Sequence, residues 1–267
     1  MPNRINRYWR IFATGLSFLI FGLGGVLLRV LVFPVLRLFI RQQSDRRRVA
    51  RDIVRRSFQF FIGLLQLLGV LRFRIYGLEK LNRCGLLIVA NHPTLIDTVF
   101  LMSLVRDASC IVKSDLVKNP FTRGPVLAAG YVTNADGAGL VDDCIHSLEN
   151  GSNLIVFPEG TRTQTENIMA FKRGVANIAI RGRRNITPVY IRCTPAVLKK
   201  NMPWWQVSSR CPNFEITIGE DIAVLPFMEN AANETLAVRE LTQYLQNYFN
   251  RDIDQKLNQR EKKHEFA

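Results

Sequence analysis

The chain has 267 residues, enough for one globular domain with a sizeable core and something besides. A formal net charge of +14 and a pI near 10.1 call for a negatively charged partner, either nucleic acid or an anionic membrane face. Five cysteines (84, 110, 144, 193, 211), an odd count with no C-x-x-C pair, exclude a disulfide framework or a zinc site and fit a reducing compartment.

Arg4, Arg7 and Arg10 precede Ile11 to Leu28, eighteen residues without a charge. A spanning helix needs about 20 apolar residues, so the run is just long enough. Arginines follow it where a signal peptide would carry a small-residue cleavage site, so a retained membrane segment is expected. A single span, a hairpin broken at Pro34 and an interfacial helix all satisfy the pattern. Arg41 to Arg56 is rich in arginine against Asp45 and Asp52. A basic segment directly after a hydrophobic one reads as cytoplasmic and close to anionic headgroups, or else as a solvated linker. Phe58 to Leu71 is too short to span and suits an interfacial or a core helix. Residues 1–71 are thus expected to anchor the chain to a membrane. The basic excess gathers beside apolar sequence, with no aromatic-interleaved reading surface, which sets nucleic acid aside.

From Arg72 the composition is that of a globular domain. Arg72 to Tyr76 alternates as a half-exposed strand does. Leu86 to Ala90, Ser109 to Lys113, Tyr131 to Thr133, Asn153 to Phe157, Ile186 to Arg192 and Phe214 to Ile218 also read as strands. Helical stretches lie between them, most clearly Gly139 to Glu149 with one apolar face. This alternation predicts an α/β sheet covered by helices over residues 72–230. Residues 231–267 hold an amphipathic helix, Glu234 to Phe249, and a charged, fraying tail.

Only three histidines are present. His146 falls on the polar side of the Gly139 to Glu149 helix and His264 in the tail, so both read as surface residues. His92 sits where the Leu86 to Ala90 strand stops, within Asn91-His92-Pro93-Thr94-Leu95-Ile96-Asp97. Pro93 is a natural first helical residue, with the helix running to Leu104. On a regular helix His92 and Asp97 would not share a face, but a turn at His92 lets the carboxylate return to the imidazole. That is the pairing of a histidine base oriented by an acid. A second polar turn, Phe157-Pro158-Glu159-Gly160-Thr161-Arg162-Thr163, follows another apolar strand. Arg162 offers a permanently charged fork for phosphate or carboxylate. Glu159 either orients that arginine, forming a local ion pair that shapes the loop, or binds an acceptor hydroxyl. Ligands of α/β sheets gather at the carboxyl ends of strands, so both turns are expected to face one cleft.

NHPTLID followed by FPEGTRT resembles the glycerolipid acyltransferases of the lysophosphatidic acid acyltransferase type. Their first motif is H-x4-D, commonly N-H-x-S-x-x-D, with Thr94 in the serine place; their third is F-P-E-G-T-R. Lys113, Leu116, Pro120, Gly124 and Gly130 look like the second-motif region. Phe171-Lys172-Arg173-Gly174 resembles F-K-x-G, and Ile186-Thr187-Pro188-Val189 the fourth motif. The resemblance implies a mixed sheet covered by helices and preceded by N-terminal membrane-associated helices. It implies His92 and Asp97 as catalytic residues, with Asn91, Thr94, Glu159, Gly160, Thr161, Arg162, Lys113 and Arg123 binding substrate. It also implies acyl transfer from acyl-CoA or acyl-carrier protein to a lysolipid hydroxyl, without metal or other cofactor, on the cytoplasmic face of a membrane. The family's second motif usually ends in an arginine that helps hold the acceptor phosphate. Here Gly130 is followed by Tyr-Val-Thr-Asn-Ala-Asp, with Arg123 as a nearby substitute, so an acceptor with a different head group fits too. A thioester hydrolase using the same dyad on water and a catalytically silent membrane adaptor are the rival readings.

Overall fold

The computed structural model describes residues 2–133, 139–163, 169–199, 202–208 and 210–265, the side chains of residues 2–5 and 252–265 excepted. The His264 side chain and the Asn134 to Asp136 stretch after the second motif lie outside the described residues.

All seven expected strands join one sheet: β1 (Arg72–Tyr76), β2 (Leu87–Ala90), β3 (Ala108–Val112), β4 (Val132–Thr133), β5 (Asn153–Val156), β6 (Ile186–Thr194) and β7 (Asn213–Ile218). Their order is β1-β7-β6-β2-β5-β3-β4. The sheet is mixed and mostly parallel: β6, β2, β5, β3 and β4 run one way. Strand β7 is antiparallel to β6, and β1 follows β7. Strands β2 and β5 are buried along their whole length, because both faces of the sheet are covered. That is why parallel strands read as unbroken apolar runs. Ile88, Ala90, Cys110 and Ile155 meet one layer, which includes Phe61 and Phe100. Leu87, Val89, Leu154 and Val156 meet the other. Each fully buried aliphatic or aromatic side chain contributes about 1.5–3 kcal/mol.

The first layer holds α3 (Gln43–Leu67), α4 (Asp97–Leu104) and α6 (Arg123–Ala129), with the short α5 (Asp115–Lys118) beside it. The second holds α7 (Leu140–Glu149), α8 (Gly174–Arg181), α9 (Leu225–Asn230) and α10 (Glu234–Glu265). On α10, Ala237, Val238, Leu241, Leu245 and Phe249 are buried at helical spacing. The same helix carries on through the charged tail to Glu265.

The N-terminal region departs from a helix followed by a linker. Helix α1 (Pro2–Leu27) passes through a π-helical turn, Leu28–Val32, into α2 (Phe33–Phe39). Pro34 follows the π-helical turn directly, and this local change of the hydrogen-bond ladder accommodates its ring and missing amide within a continuous helix. No hairpin forms there; the chain reverses between Ile40 and Gln42. The arginine-rich stretch and the second apolar stretch form one helix, α3, rather than a solvated linker and a separate segment. Arg51 explains why. Burial of its guanidinium is compensated by bonds to Ala129 O (2.8 Å), Asp107 Oδ1 (3.1 Å) and Ser152 Oγ (2.5 Å). Helix α1 lies along α3 with Ala13, Thr14 and Ser17 buried and Phe21 against Phe58 and Phe61. At Gly25 a Cβ would collide with the carbonyl oxygen of Phe121, so glycine permits the close approach. The outer face exposes Tyr8, Phe12, Leu19, Leu23, Leu27, Leu38 and Phe39. Residues Asn6–Phe39 are long and apolar enough, by length and composition, to cross a membrane.

Candidate active site

Strands β2 and β5 are parallel neighbours whose continuations diverge. The β2–α4–β3 connection passes one way across the sheet and β5–α8–β6 the other. A crevice opens at the carboxyl ends of strands where connections part in this way. His92 stands two residues beyond β2, and Glu159 three beyond β5.

The helix expected from Pro93 begins only at Asp97. Residues 91–96 form a loop instead, pinned at both ends. Asn91 continues the ladder toward β6, its Nδ2 donating to Ile191 O (2.8 Å) and its Oδ1 accepting from Ile191 N (2.7 Å). At the other end the Asp97 carboxylate accepts the Thr94 amide (2.6 Å) and the Thr94 hydroxyl (2.5 Å). A helix starting at Pro93 would leave these groups unpaired in a buried place, which is costly. The loop also solves the spacing problem, since Asp97 Oδ2 lies 2.9 Å from His92 Nδ1.

Asp97 is fully buried and His92 is 17 % exposed. Burial pushes the Asp97 carboxyl above its ordinary value, opposed by the His92 contact and the two Thr94 donors. An acceptor at Nδ1 places the neutral imidazole's proton there and leaves Nε2 with a free lone pair. The imidazole stacks on Phe157, ring centroids 4.3 Å apart.

The second turn is stitched to the first, by contacts unlike the expected Glu159–Arg162 ion pair. Glu159 Oε1 accepts the His92 amide (3.0 Å) and the Thr163 hydroxyl (3.0 Å), while the Thr163 amide donates to His92 O (2.8 Å). Burial raises the Glu159 carboxyl as well. One Arg162 guanidinium nitrogen reaches a third segment, donating to Leu198 O and Lys199 O, both at 3.0 Å. Leu198 O also accepts the Leu95 amide (3.2 Å), so the loops after β2, β5 and β6 share one anchor. Gly160 has φ +67° with the Lys172 ammonium end packed over it. Its amide is spent on Phe157 O, which removes it from the turn donors available to an oxyanion. Among the described residues the Thr161 and Arg162 amides carry no hydrogen bond.

His92, Asp97, Thr94, Glu159 and Thr163 form one connected network, with Asn91, Gly160, Thr161 and Arg162 in the loops that carry it. Lys113, exposed just past β3, lies on the same edge of the sheet; Arg123, exposed, opens α6. Neither makes a side-chain hydrogen bond to the network. His146 is exposed on α7. No group of three His, Cys, Asp or Glu among the described residues is placed to hold a metal. Thr163, the Phe157 ring and the Leu198–Lys199 carbonyls act in ways that local sequence carries no signal for.

A family model described as Acyltransferase matches residues 72–192, the stretch that carries both turns. The likeness to that family covers these residues, a little under half of the chain. Several curated proteins are similar to this chain as well. The chloroplastic 1-acyl-sn-glycerol-3-phosphate acyltransferase LPAT1 of Arabidopsis thaliana is 27% identical over 158 residues, 55% of this chain and 44% of that protein. The 1-acyl-sn-glycerol-3-phosphate acyltransferase of Pseudomonas aeruginosa is 24% identical, covering 59% of this chain and 64% of its own length. The enzyme of the same name from Helicobacter pylori is 31% identical over 112 residues, 39% of this chain and 47% of that one. The chain thus spans about half the length of the curated relatives it matches. The fold is that of the crystal structure of the 1-acyl-sn-glycerophosphate (LPA) acyltransferase PlsC from Thermotoga maritima. The TM-score is 0.69 at 22% identity, over 92% of this chain and 97% of that one.

Proposed function

We propose that the acyltransferase domain moves an acyl group from a thioester, on coenzyme A or acyl-carrier protein, to the hydroxyl of a 1-acylglycerol-3-phosphate-like lysolipid at a membrane surface. The observation that carries this reading is His92 held through Nδ1 by the buried Asp97, with Nε2 left for a substrate proton. The acceptor oxygen attacks the thioester carbonyl as Nε2 takes its proton. The C–S bond then breaks, and the imidazolium returns that proton to the departing sulfur. Asp97 fixes the tautomer and stabilises the imidazolium; general base catalysis of this kind contributes about 10²–10⁴-fold. The developing oxyanion needs donors as well, and backbone amides of the turn after β5 are our candidates for them. Glu159 holds the His92 backbone in place, and Arg162 and Lys113 supply positive charge for substrate phosphates.

Two further features support an apolar acyl group at a membrane. A small apolar cavity of about 30 Å³, lined by Phe18, Phe61, Leu71, Val197 and Leu198, reaches Ile96, the residue before Asp97. The apolar outer face of α1 and α2 continues onto exposed Phe121 and Trp205. With α1 packed lengthwise on α3, we place this face in one leaflet and the catalytic edge at the headgroups, on the cytoplasmic side that flanking arginines favour. The test incubates the detergent-extracted protein with acyl-CoA, acyl-carrier protein and a panel of lysolipids, and identifies products by mass spectrometry. Acylated lysolipid is expected, with at least a 100-fold loss in His92→Ala. Free fatty acid as sole product points to hydrolysis and overturns the reading, as does a His92→Ala variant that transfers at the wild-type rate.

A further inference from the structure

A second polar site lies on the other edge of the sheet. Arg51 bonds Asp107 and Ser152, the residues entering β3 and β5, and Gly130 leads toward β4; all mark the amino edge. One turn before Arg51, Arg47 lies across Gly130, whose φ is +64° and where a Cβ would stand 2.6 Å from Arg47 Nε. Beside it a cavity of about 110 Å³ opens between α2, α3 and α6, lined by Arg37, Arg46, Arg47, Phe33, Leu36 and Leu127 among others.

Three arginines line it, and no acidic side chain does. The neighbouring acids are occupied elsewhere, Asp107 by Arg51 and Arg48 and Asp52 by Arg55 and Arg56, while Asp45 is exposed outside the cavity. Arg46 is held in place by donating to Ile40 O (3.2 Å). Like charges gathered without a counter-ion repel one another, and a bound phosphate relieves this while accepting several charge-assisted hydrogen bonds. The surroundings say which phosphate. Leu127 is exposed in the lining itself, and Val35, Leu38 and Phe39 are exposed on other faces of the α2 helix that carries Arg37, where they continue the apolar face of α1.

We infer that the cavity between α2, α3 and α6 binds the headgroup phosphate of an anionic membrane lipid through Arg37, Arg46 and Arg47, the lipid's chains lying on the apolar face beside it. It is a docking site distinct from the catalytic crevice. It rests on the membrane association stated above and not on the catalytic reading.

The test measures sedimentation of the full chain with phosphatidylcholine vesicles, with and without phosphatidylglycerol, at low and at about 1 M salt. A diffuse attraction gives each basic residue near the surface about fivefold at low salt, and about 1 M salt, with a Debye length of roughly 3 Å, erases it. Arg41, exposed and outside the cavity, reports that diffuse part. At high salt Arg41→Gln should bind phosphatidylglycerol vesicles as wild type does, while Arg37→Gln/Arg47→Gln should bind roughly tenfold more weakly. Equal binding by the two variants at high salt overturns the inference. Inorganic phosphate that protects the cavity arginines from phenylglyoxal as well as the vesicles do, without any preference for phosphatidylglycerol, overturns the lipid identification. Thermal melts of both variants exclude unfolding as the cause. The His92→Ala chain should keep wild-type vesicle binding, which separates failure of this site from failure of the catalytic one.

Discussion

Asp97→Asn tests the proposed chemistry most sharply, because it removes a charge and little else. The amide can point its oxygen toward His92 Nδ1 and the Thr94 amide, now 2.9 and 2.6 Å from Asp97 Oδ2. Its NH₂ then faces Thr94 Oγ1, a hydroxyl able to turn and accept. What disappears is attraction between carboxylate and imidazolium. With charge centres roughly 4 Å apart and an effective dielectric of about 20, this is about 4 kcal/mol. The neutral hydrogen bond that remains returns about 1 kcal/mol. A net loss of about 3 kcal/mol, felt only when the imidazolium forms, lowers kcat by roughly 100-fold. Folding should respond the other way. Burial makes the ionised Asp97 costly and raises its pKa, so the carboxyl takes up a proton more readily in the native state than in the unfolded chain. Its contribution to stability is largest below the unfolded carboxyl value and declines as pH rises through the raised folded one. An amide escapes that penalty, and near neutral pH the variant should melt no lower than wild type. Thioester-release kinetics with a lysolipid acceptor, beside thermal melts, check both halves. A kcat within about threefold of wild type refutes the electrostatic role; a large fall in Tm shows that the substitution broke the loop instead.

Three more outcomes follow from the contacts. Glu159→Ala strips the His92 amide and Thr163 hydroxyl of their acceptor. Losing a hydrogen bond to a charged group costs about 1.5–3 kcal/mol, a 10- to 100-fold drop in kcat/KM if it holds the base in place, with Glu159→Gln recovering most of it. Arg51→Met leaves Asp107, whose side chain is 18 % exposed, facing only Arg48 at 3.9 Å. About 3 kcal/mol is expected, read as a Tm lower by roughly 6–12 °C. The Arg83 guanidinium, 2.6 Å from Asp221, holds that carboxyl below its ordinary value. Its stabilisation is present above the unfolded carboxyl pKa and is lost as pH falls through the lowered folded one. For this largely exposed pair it is about 0.2–1 kcal/mol. Arg83→Gln should therefore melt slightly below wild type near pH 6, and the two curves should converge in the acid range below the ordinary carboxylate value.

Much of the architecture is a local matter, and the sequence by itself determined it. Strands β2 and β5 had to be central because their residues are apolar without alternation, and α7 and α10 show their buried faces in a 3.6-residue period. The two polar turns were legible for the same reason, since strand, punctuation and charged residues sit within a few positions of one another. The helix start at Asp97 was not, because Pro93 is a good first helical residue until the buried Thr94 groups need Asp97 as their acceptor. Glu159 is three positions from Arg162, yet it bonds His92, 67 residues away, because the pairing of β2 with β5 sets that distance. Arg162 likewise turns to carbonyls beyond β6. The arginine-rich segment reads as lying near anionic headgroups or as a solvated linker, and only the fold supplied the Asp107, Ser152 and Ala129 atoms that let Arg51 be buried within a continuous helix. Local composition decides which segments form strands and helices. Which polar group answers which is decided by burial, once distant strands have been brought side by side.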